Sequence, residues 1–362
     1  MAQTTTTKSA GSGPNPKDSM KSTWRSADKS TWRINHHILD KMDVHPTKLN
    51  EPAPVFAKTD PIPYMPHWQQ HILVLVHAFL PILLHQAFVS LTGQNLGPVI
   101  AGIYYTIAFG AIAVREVHLI RKLAYKYGYL DGDVHLRDEI PDAGVDKIAT
   151  TLNKVTGARI AMAIYLTYKM NVAPFDEMAD PAWWGWLLVQ TAIYPIAIDF
   201  WFYMYHRAMH DVPFLWQFHR THHLTKHPNA LMSAYADHVQ EFFDIAGIPL
   251  LAYGTMRAMG LEMSFYQLWI CSQYIAYTEI GGHSGLRIAL TPPNPLDPVL
   301  KMLRMELVLE DHDLHHRKGW RKSHNYGKQT RVWDRIFGTC IDRIETTPTN
   351  VDYVNTAQMP FY

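Results

Sequence analysis

Long stretches without charged side chains alternate with polar segments along this chain. Residues 96–114 contain no charged residue, and about 20 apolar residues in a helix span the hydrocarbon core of a bilayer. Residues 71–91 are nearly as long but contain three histidines and Pro81, which a membrane helix tolerates. The two stretches predict a membrane hairpin that turns at residues 92–94. Two buried helices of a soluble core are the alternative.

Four further apolar segments follow. Residues 158–170 are short, whereas residues 182–205 are long and rich in Trp and Tyr, which is typical of helices that meet the membrane interface. Residues 245–261 and 263–280 join at Glu262 and are compatible with a second hairpin, with re-entrant helices or with packed interfacial ones. The whole pattern predicts an all-α, polytopic membrane helix bundle of about four transmembrane helices plus interfacial or re-entrant helices.

Basic residues mark one end of the charge-free stretch. Four of them lie between residues 115 and 126, and positive residues beside a membrane helix favour the cytosolic side. If the next two apolar segments both cross the membrane, the chain beyond residue 205 returns to the cytosol; if only the longer one crosses, it lies on the opposite side. We favour the first topology, with a cytosolic cap, because electron donors and a reduced environment are available there.

The polar segments divide the rest of the chain. Residues 1–66 are rich in Thr, Ser, Lys and Pro and have little to bury, which predicts a largely disordered cytosolic arm. Residues 67–180 hold the N-terminal membrane helices and a cytosolic loop. Residues 181–345 form the domain that carries the candidate chemistry, and residues 346–362 form a C-terminal tail.

Composition excludes several classes of protein. The 33 Lys and Arg residues nearly balance the 32 Asp and Glu residues, for a formal net charge of +1, so no basic block indicates nucleic-acid binding. Two cysteines are too few for a disulfide scaffold or a cysteine-based zinc site. The first residues lack the apolar core of a secretory signal peptide.

Histidine is the unusual residue of this sequence. Twelve of the 21 histidines lie between residues 206 and 324. Eight of these form three clusters: His206-x-x-x-His210, His219-x-x-His222-His223 and His312-x-x-His315-His316. Packing alone does not explain this density, because histidine is only intermediate in its preference for burial. Neutral imidazole is the commonest metal ligand in proteins, so the clusters predict a metal centre.

The spacing within the clusters predicts two metals. Residues three or four apart share one face of a helix, whereas the adjacent His222 and His223 point about 100° apart. One His-x-x-His-His cluster can therefore contribute to two neighbouring metals. Two such clusters plus His-x-x-x-His predict a dinuclear centre with about four or five nitrogens per metal. His238 and His283 are isolated, and each is compatible with a ligand or with a buried structural histidine. His227 lies in a polar stretch and is interpreted as a loop residue.

Three acidic residues lie near the clusters. Asp199 precedes His206 by seven residues on the same helical face, and an acid in an apolar run needs a partner. Glu241 and Asp313 are further candidates that would accept a ring N–H and orient an imidazole. Ion pairs with Arg207 or Arg317 are the alternative. None of the three makes the Glu-x-x-His pairing of soluble di-iron bundles.

In these motifs the chain resembles the fatty acid hydroxylase/sterol desaturase family of integral-membrane, non-haem di-iron enzymes, over roughly residues 190–345. The resemblance rests on Asp199-Phe200-Trp201, the three histidine clusters, Asn325-Tyr326-Gly327 and Trp333-Asp334-Arg335-Ile336-Phe337-Gly338-Thr339. The family's further ligand histidines correspond to His238-Val239-Gln240-Glu241, where Val239 replaces the usual proline, and to His283-Ser284-Gly285. Like His227, His324 lies in a polar stretch and is interpreted as a loop residue.

The resemblance implies an oxygenase with two iron ions held by histidines. It would use O₂ and electrons from an external NAD(P)H-dependent donor, such as cytochrome b5 or a reductase, to hydroxylate or desaturate a hydrophobic substrate. A sterol, a sphingolipid, a fatty acyl chain and a hydrophobic secondary metabolite remain open as that substrate. The expected location is the endoplasmic reticulum membrane, with the metal site facing the cytosol.

A membrane metal transporter or store without redox chemistry is the alternative function. Such a protein should place its ligands inside the membrane helices near the midplane. The clusters instead follow the ends of apolar segments, among basic residues such as Arg207, Arg220 and Arg321.

Overall fold

The fold is almost entirely helical in the computed structural model, which describes residues 16–361. Its α-helices are α1 (Ile34–Met42), α2 (His67–Thr92), α3 (Pro98–Tyr127), α4 (Val145–Thr167), α5 (Pro174–Met178), α6 (Pro181–Asp211), α7 (Pro213–His219), α8 (His238–Phe242), α9 (Ile248–Ala258), α10 (Phe265–Gly282), α11 (Asp297–Met302), α12 (Leu309–Lys318) and α13 (Val332–Ile336). Short 3₁₀ helices span Pro16–Asp18, Trp24–Ser26, Lys29–Thr31, His222–Leu224 and Ala230–Ala234, and a π-helical turn spans Phe243–Gly247. Two-residue strands β1 (Ile62–Pro63) and β2 (Val351–Asp352) pair in parallel.

The predicted hairpin is confirmed in its two helices and its turn. Helix α2 ends at Gly93, whose φ of 69° lies in the left-handed region that glycine adopts without strain. Helix α3 begins at Pro98, at the first helical position, where proline loses no hydrogen bond. At 1.5 Å per residue its 30 residues extend for about 45 Å, so α3 continues well past the charge-free stretch and includes the basic residues that follow it.

Three helices are long and apolar enough to cross a membrane: α2, α3 and α6. In the most apolar 18-residue stretch of each helix, 33% of the residues are buried in α2 and 22% in α3, against 61% in α6. The outer faces of α2 and α3 therefore expose many Leu, Ile and Val side chains, as helices in contact with lipid do. The sequence predicts about four crossings; among the described helices, α4 and α10 do not meet the same criterion.

Helix α10 lies at the centre of the bundle. Its side chains are buried almost throughout, and its Trp269 indole donates a hydrogen bond to the Ala78 carbonyl of α2 at 2.9 Å. Trp201 of α6 donates to Thr255 of α9 at 2.9 Å. Buried indoles need such partners, so these bonds fix how neighbouring helices face each other.

Residues 16–66 are packed against the helical body, which contradicts the predicted disordered arm over these residues. The Trp24 side chain is 4% exposed, and its indole donates to the Ile140 carbonyl at 3.0 Å. Leu39 and Val44 are buried beside it in the same hydrophobic cluster. A few well-spaced apolar side chains in a polar segment are enough to bind it to an existing surface. Residues 1–15 lie outside the described part.

The C-terminal tail also packs on the body. Strand β2 pairs with β1, with Val351 opposite Ile62. Ala357 and Met359 are buried, and the Met359 N–H donates to the Gln69 side chain at 2.7 Å. The tail therefore contacts the N-terminal segment through β1 and the start of α2 through Gln69.

We predict that Trp24→Ala detaches the N-terminal segment. The substitution removes a buried indole, which costs about 3 kcal/mol in a protein core. Limited proteolysis within residues 16–50 should become faster, and thermal unfolding in detergent should shift to lower temperature. Trp68→Ala, at a side chain that is 59% exposed, is the control and should leave the cleavage pattern unchanged. Equal cleavage of the Trp24→Ala and wild-type proteins would contradict the prediction.

Candidate metal centre

Nine buried histidines form two adjacent groups. The first group contains His206, His210, His219, His223 and His315; the second contains His222, His283, His312 and His316. Within each group, one ring nitrogen from every histidine lies within 4.8 Å of all the others. The centre therefore offers five nitrogens on one side and four on the other.

Four elements bring these histidines together. The end of α6 carries His206 and His210, one turn apart; α7 and the following 3₁₀ turn carry the 219–223 cluster; α10 ends just before His283; and α12 carries the 312–316 cluster. Within the last two clusters, adjacent histidines belong to different groups. This is the division that the helical angle between neighbouring residues predicts.

The facing nitrogens are too close to be explained by packing. In the first group, His219 Nε2 lies 2.9 Å from His206 Nε2 and 3.1 Å from His223 Nε2. In the second, His283 Nε2 lies 3.0 Å from His312 Nε2. Two nitrogens bound to one metal at about 2.1 Å, at right angles, are separated by about 3 Å. The spacing therefore fits donors that share a cation.

The opposite ring nitrogens show which tautomer most of these histidines adopt. Nδ1 donates to a backbone carbonyl in five of them: His206 to Tyr326, His210 to Trp320, His283 to Glu279, His315 to His324 and His316 to Thr225, over 2.6–3.1 Å. In a sixth, His219 Nδ1 donates to the Gln240 side chain at 2.8 Å. A proton on Nδ1 leaves the Nε2 lone pair free for a metal.

Burial keeps the imidazoles outside the membrane helices neutral. A charged ring would lose its hydration, so burial holds the pKa well below its usual range for His219, His222, His223, His312, His315 and His316. Burial likewise lowers the pKa of His283 to about 4. Neutral imidazole is the form that binds a metal, so at neutral pH these rings need lose no proton first.

A cavity of about 140 Å³ lies beside the two groups. Most of its wall is apolar, and the apolar side chains include Phe109, Ile198, Phe202, Ile245, Ile248, Ile275 and Ala276. The Phe202 ring lies 5.0 Å from the ring of His206. Glu279 also lines the cavity, and its carbonyl holds His283. A single residue therefore separates the cavity from each histidine group.

Comparisons with known proteins agree with this geometry. A family model described as fatty acid hydroxylase matches residues 191–339. A fatty acid hydroxylase of Lecanicillium sp is 46% identical over 86% of this chain and 88% of its own length. The chain belongs to the fatty acid hydroxylase family.

More distant relatives have two other names. An alkylglycerol monooxygenase of Xenopus tropicalis is 26% identical over 52% of this chain and 37% of its own length. A very-long-chain aldehyde decarbonylase of Oryza sativa subsp. indica is 28% identical over 45% of this chain and 56% of its own length. No solved structure matches the chain significantly. The family and its monooxygenase members support an oxidoreductase that acts on membrane lipids.

In this member of the family, His238 lies outside both groups, contrary to the ligand role that the sequence suggests. Its side chain is 73% exposed, and Nδ1 lies 3.0 Å from the Glu241 carboxylate. With Val239 in place of the usual proline, the segment forms the first turn of α8 and presents His238 to the surface. His227 is also outside the groups, 2.9 Å from Asp131. His283, the other isolated histidine, is a member of the second group.

The three acids do not hold the clustered imidazoles as predicted: backbone carbonyls and Gln240 accept the Nδ1–H groups of six of the nine grouped histidines. Asp313 instead pairs with Arg137 and with Arg317, at 2.7 Å for the latter, which is the ion-pair alternative. Glu241 contacts Thr151 and the exposed His238. A sequence has no signal for a backbone carbonyl as partner, so these contacts could not be found from it.

Asp199 holds the loop that follows α12. Its carboxylate accepts the backbone N–H groups of Lys328, Gln329 and Thr330 and the Thr330 hydroxyl, over 2.7–3.1 Å. Gly327 lies so close that an added Cβ would be 2.5 Å from the Thr330 carbonyl oxygen, which explains the glycine of the Asn-Tyr-Gly motif. Asp199 thus acts on His206 through the loop that supplies the Tyr326 carbonyl.

We predict that Asp199→Ala loosens this loop. Three buried N–H groups would lose their acceptor, at a total cost on the order of 3 kcal/mol. Thermal unfolding should shift downward, and the metal content per chain should fall as the Tyr326 carbonyl leaves His206. Asp211→Ala, at an exposed acid of the same helix paired with Arg207, should change stability by less than about 0.5 kcal/mol. Equal behaviour of the two variants would refute the positioning role.

Proposed function

We propose that this protein uses O₂ and external electrons to hydroxylate a C–H bond of a hydrophobic, lipid-like substrate at a centre of two iron ions. One observation carries the proposal: two touching groups of neutral, buried imidazoles turn their free nitrogens toward each other beside an apolar cavity. A sterol, a sphingolipid, a fatty acyl chain and a hydrophobic secondary metabolite remain the candidate substrates, because each carries an apolar segment that such a cavity wall would contact.

The nine grouped histidines are the proposed ligands, and His238 is left out. The donor set is all nitrogen, with no carboxylate or cysteine in either group, and imidazole suits iron as well as zinc, copper and nickel. Membership of an oxygenase family favours iron among these. When bound, the two irons would supply the redox chemistry that reduces O₂ and oxidises the C–H bond.

The chain's own residues bind the substrate and exclude water. The isoleucines and Phe202 of the cavity would hold an alkyl segment near both groups, because transfer of apolar surface out of water is favourable. Lys328, 5% exposed, pairs with Glu279 at 2.8 Å on the cavity wall and gives a polar group of the substrate a hydrogen-bonding partner. Exclusion of water by bound substrate would protect a reactive centre from side reactions.

The proposal also includes the electron donor, the membrane and the orientation of the protein. Electrons would come from an NAD(P)H-dependent carrier such as cytochrome b5 or a reductase. We place the protein in the endoplasmic reticulum membrane, with the histidine cap facing the cytosol. Desaturation is the alternative outcome of the same chemistry. Metal transport is disfavoured because both groups lie at or after the C-terminal end of α6 rather than in the middle of the apolar helices.

Metal stoichiometry tests the ligand set. Removing His283 leaves the second group with three nitrogens, so His283→Ala should lower bound iron from two ions to about one per chain. His238→Ala is the matched control and should retain both ions. Iron is counted by mass spectrometry after anaerobic loading in detergent and removal of free metal. Fewer than two ions in the wild-type protein would contradict the dinuclear centre.

Product analysis tests the reaction. The iron-loaded protein, given a lipid extract, a reductant and isotopically heavy O₂, should yield a lipid that has gained one labelled oxygen atom. His315→Ala should abolish this product because it removes a nitrogen from the first group, while membrane insertion stays intact. A product that has lost two hydrogens without gaining oxygen would indicate desaturation. Full activity of His315→Ala would remove that residue from the ligand set.

A further inference from the structure

An exposed tryptophan lies directly above the first histidine group. The Trp320 side chain is 40% exposed. Its backbone carbonyl accepts the hydrogen bond of His210 Nδ1 at 2.7 Å. Its indole packs edge-on against the Trp216 ring, with the ring centres 5.0 Å apart. Trp320 therefore contacts solvent on one side and the interior of the site on the other.

Trp216 continues the contact to the histidines. It is 9% exposed, and its ring centre lies 5.3 Å from that of His210, 5.7 Å from His223 and 6.1 Å from His219. Two indoles thus connect the surface to three of the five imidazoles of the first group. Over residues 16–361, the aromatic rings in contact with the second-group histidines are all histidine rings. The indole pair therefore leads to one group alone.

The surface around Trp320 is strongly basic. Residues 317–331 contain six Lys and Arg residues and no acid. Lys318, Arg321 and Lys322 are exposed and form no ion pair among the described residues. The Lys226 Nζ atom lies over the Trp320 ring, 4.8 Å from its centre. We call these four basic residues and Trp320 the Trp320 patch.

We propose that an acidic one-electron carrier protein docks on the Trp320 patch and that its electrons enter the first histidine group through Trp320 and Trp216. The inference rests on the proposed function. Hydroxylation converts one C–H bond, one O₂, two electrons and two protons into an alcohol and one water. The two electrons arrive one at a time from the reduced carrier, which is oxidised.

Two physical arguments select this surface. Electron tunnelling weakens steeply with distance, so a carrier must dock close to the histidine groups, and the indole pair reaches from the surface to three imidazoles of the first group. Complementary charge speeds encounter between partners, as in the small, transient interfaces of redox proteins. A basic patch centred on an exposed indole therefore fits an acidic carrier.

An anionic membrane surface would also attract basic residues. The carrier is favoured because the patch surrounds an indole that contacts the histidine group, which contact with a bilayer would not require. Another aromatic series runs from Tyr326 through Tyr203 to Phe337, which is 44% exposed. The two distances between ring centres in that series, 5.9 Å and 5.2 Å, exceed the 5.0 Å between the ring centres of the two indoles. Phe337 therefore provides a matched control.

The test compares two reductants on the full-length, iron-loaded protein in detergent. The triple variant Lys318→Glu, Arg321→Glu, Lys322→Glu should be reduced by soluble cytochrome b5 at least about tenfold more slowly than the wild type at low salt. Its rate should also lose the wild-type salt dependence. Reduction by dithionite, a small molecule that needs no docking surface, should be unchanged.

A second variant isolates the indole. Trp320→Leu keeps the carbonyl that holds His210, so the metal content should be retained. Its maximal rate of reduction by bound cytochrome b5 should fall about tenfold while the dissociation constant changes little. Phe337→Leu should match the wild type in both quantities.

Each other outcome is decisive. Wild-type reduction of the triple variant at every salt concentration would overturn the docking site. Weaker binding to vesicles containing phosphatidylserine, with normal reduction by cytochrome b5, would identify a membrane contact and refute the proposal. If the wild-type protein takes up electrons from dithionite but makes no product, the proposed function fails. The docking site is then judged from cytochrome b5 binding and metal reduction alone.

Discussion

The structure depends on holding nine uncharged imidazoles in one interior volume with their free nitrogens facing each other. Without a cation, facing lone pairs about 3 Å apart repel, so the arrangement persists because the protein holds six of the nine rings by a hydrogen bond at Nδ1. Backbone carbonyls do most of this. They accept the Nδ1–H groups and set the tautomer at the same time. The loops that supply these carbonyls are therefore as necessary to the centre as the histidines themselves.

Buried acids hold those loops. Asp199 accepts three N–H groups after Gly327, and Asp334 accepts the N–H groups of Tyr326 and Gly327, both at 2.8 Å. An acid buried in an apolar helix is costly, and here its hydrogen bonds offset that cost. Family motifs outside the histidine clusters, such as Asp-Phe-Trp, Asn-Tyr-Gly and Trp-Asp, thus support the carbonyl that positions His206.

Features that depend on helical periodicity over a few residues could be predicted from the sequence. Helical periodicity predicts the hairpin of α2 and α3 and the division of adjacent histidines between two groups. It was insufficient where the partner is distant in sequence. Asp313 meets Arg137 across 176 residues, and Trp24 is buried on a segment more than 100 residues away. His238 shows the same limit, since only tertiary packing decides whether an isolated histidine points inward or into solvent.

The contacts of α12 show that segments without any of the grouped histidines also hold the site together. This helix is short and polar, yet buried from Leu309 to His316. Beside its histidines it carries three acids that anchor it to distant segments: Asp313 pairs with Arg137, Asp311 pairs with Arg343 at 2.8 Å, and Glu310 accepts the N–H groups of residues 344–346.

Removing one member of a buried ion pair leaves an uncompensated charge and costs more than the intact pair contributes. The loop before α4 and residues 343–346 thus help to hold the candidate metal centre, although neither contains one of its histidines. A domain boundary drawn from motifs alone would cut through the contacts that keep His312, His315 and His316 in place.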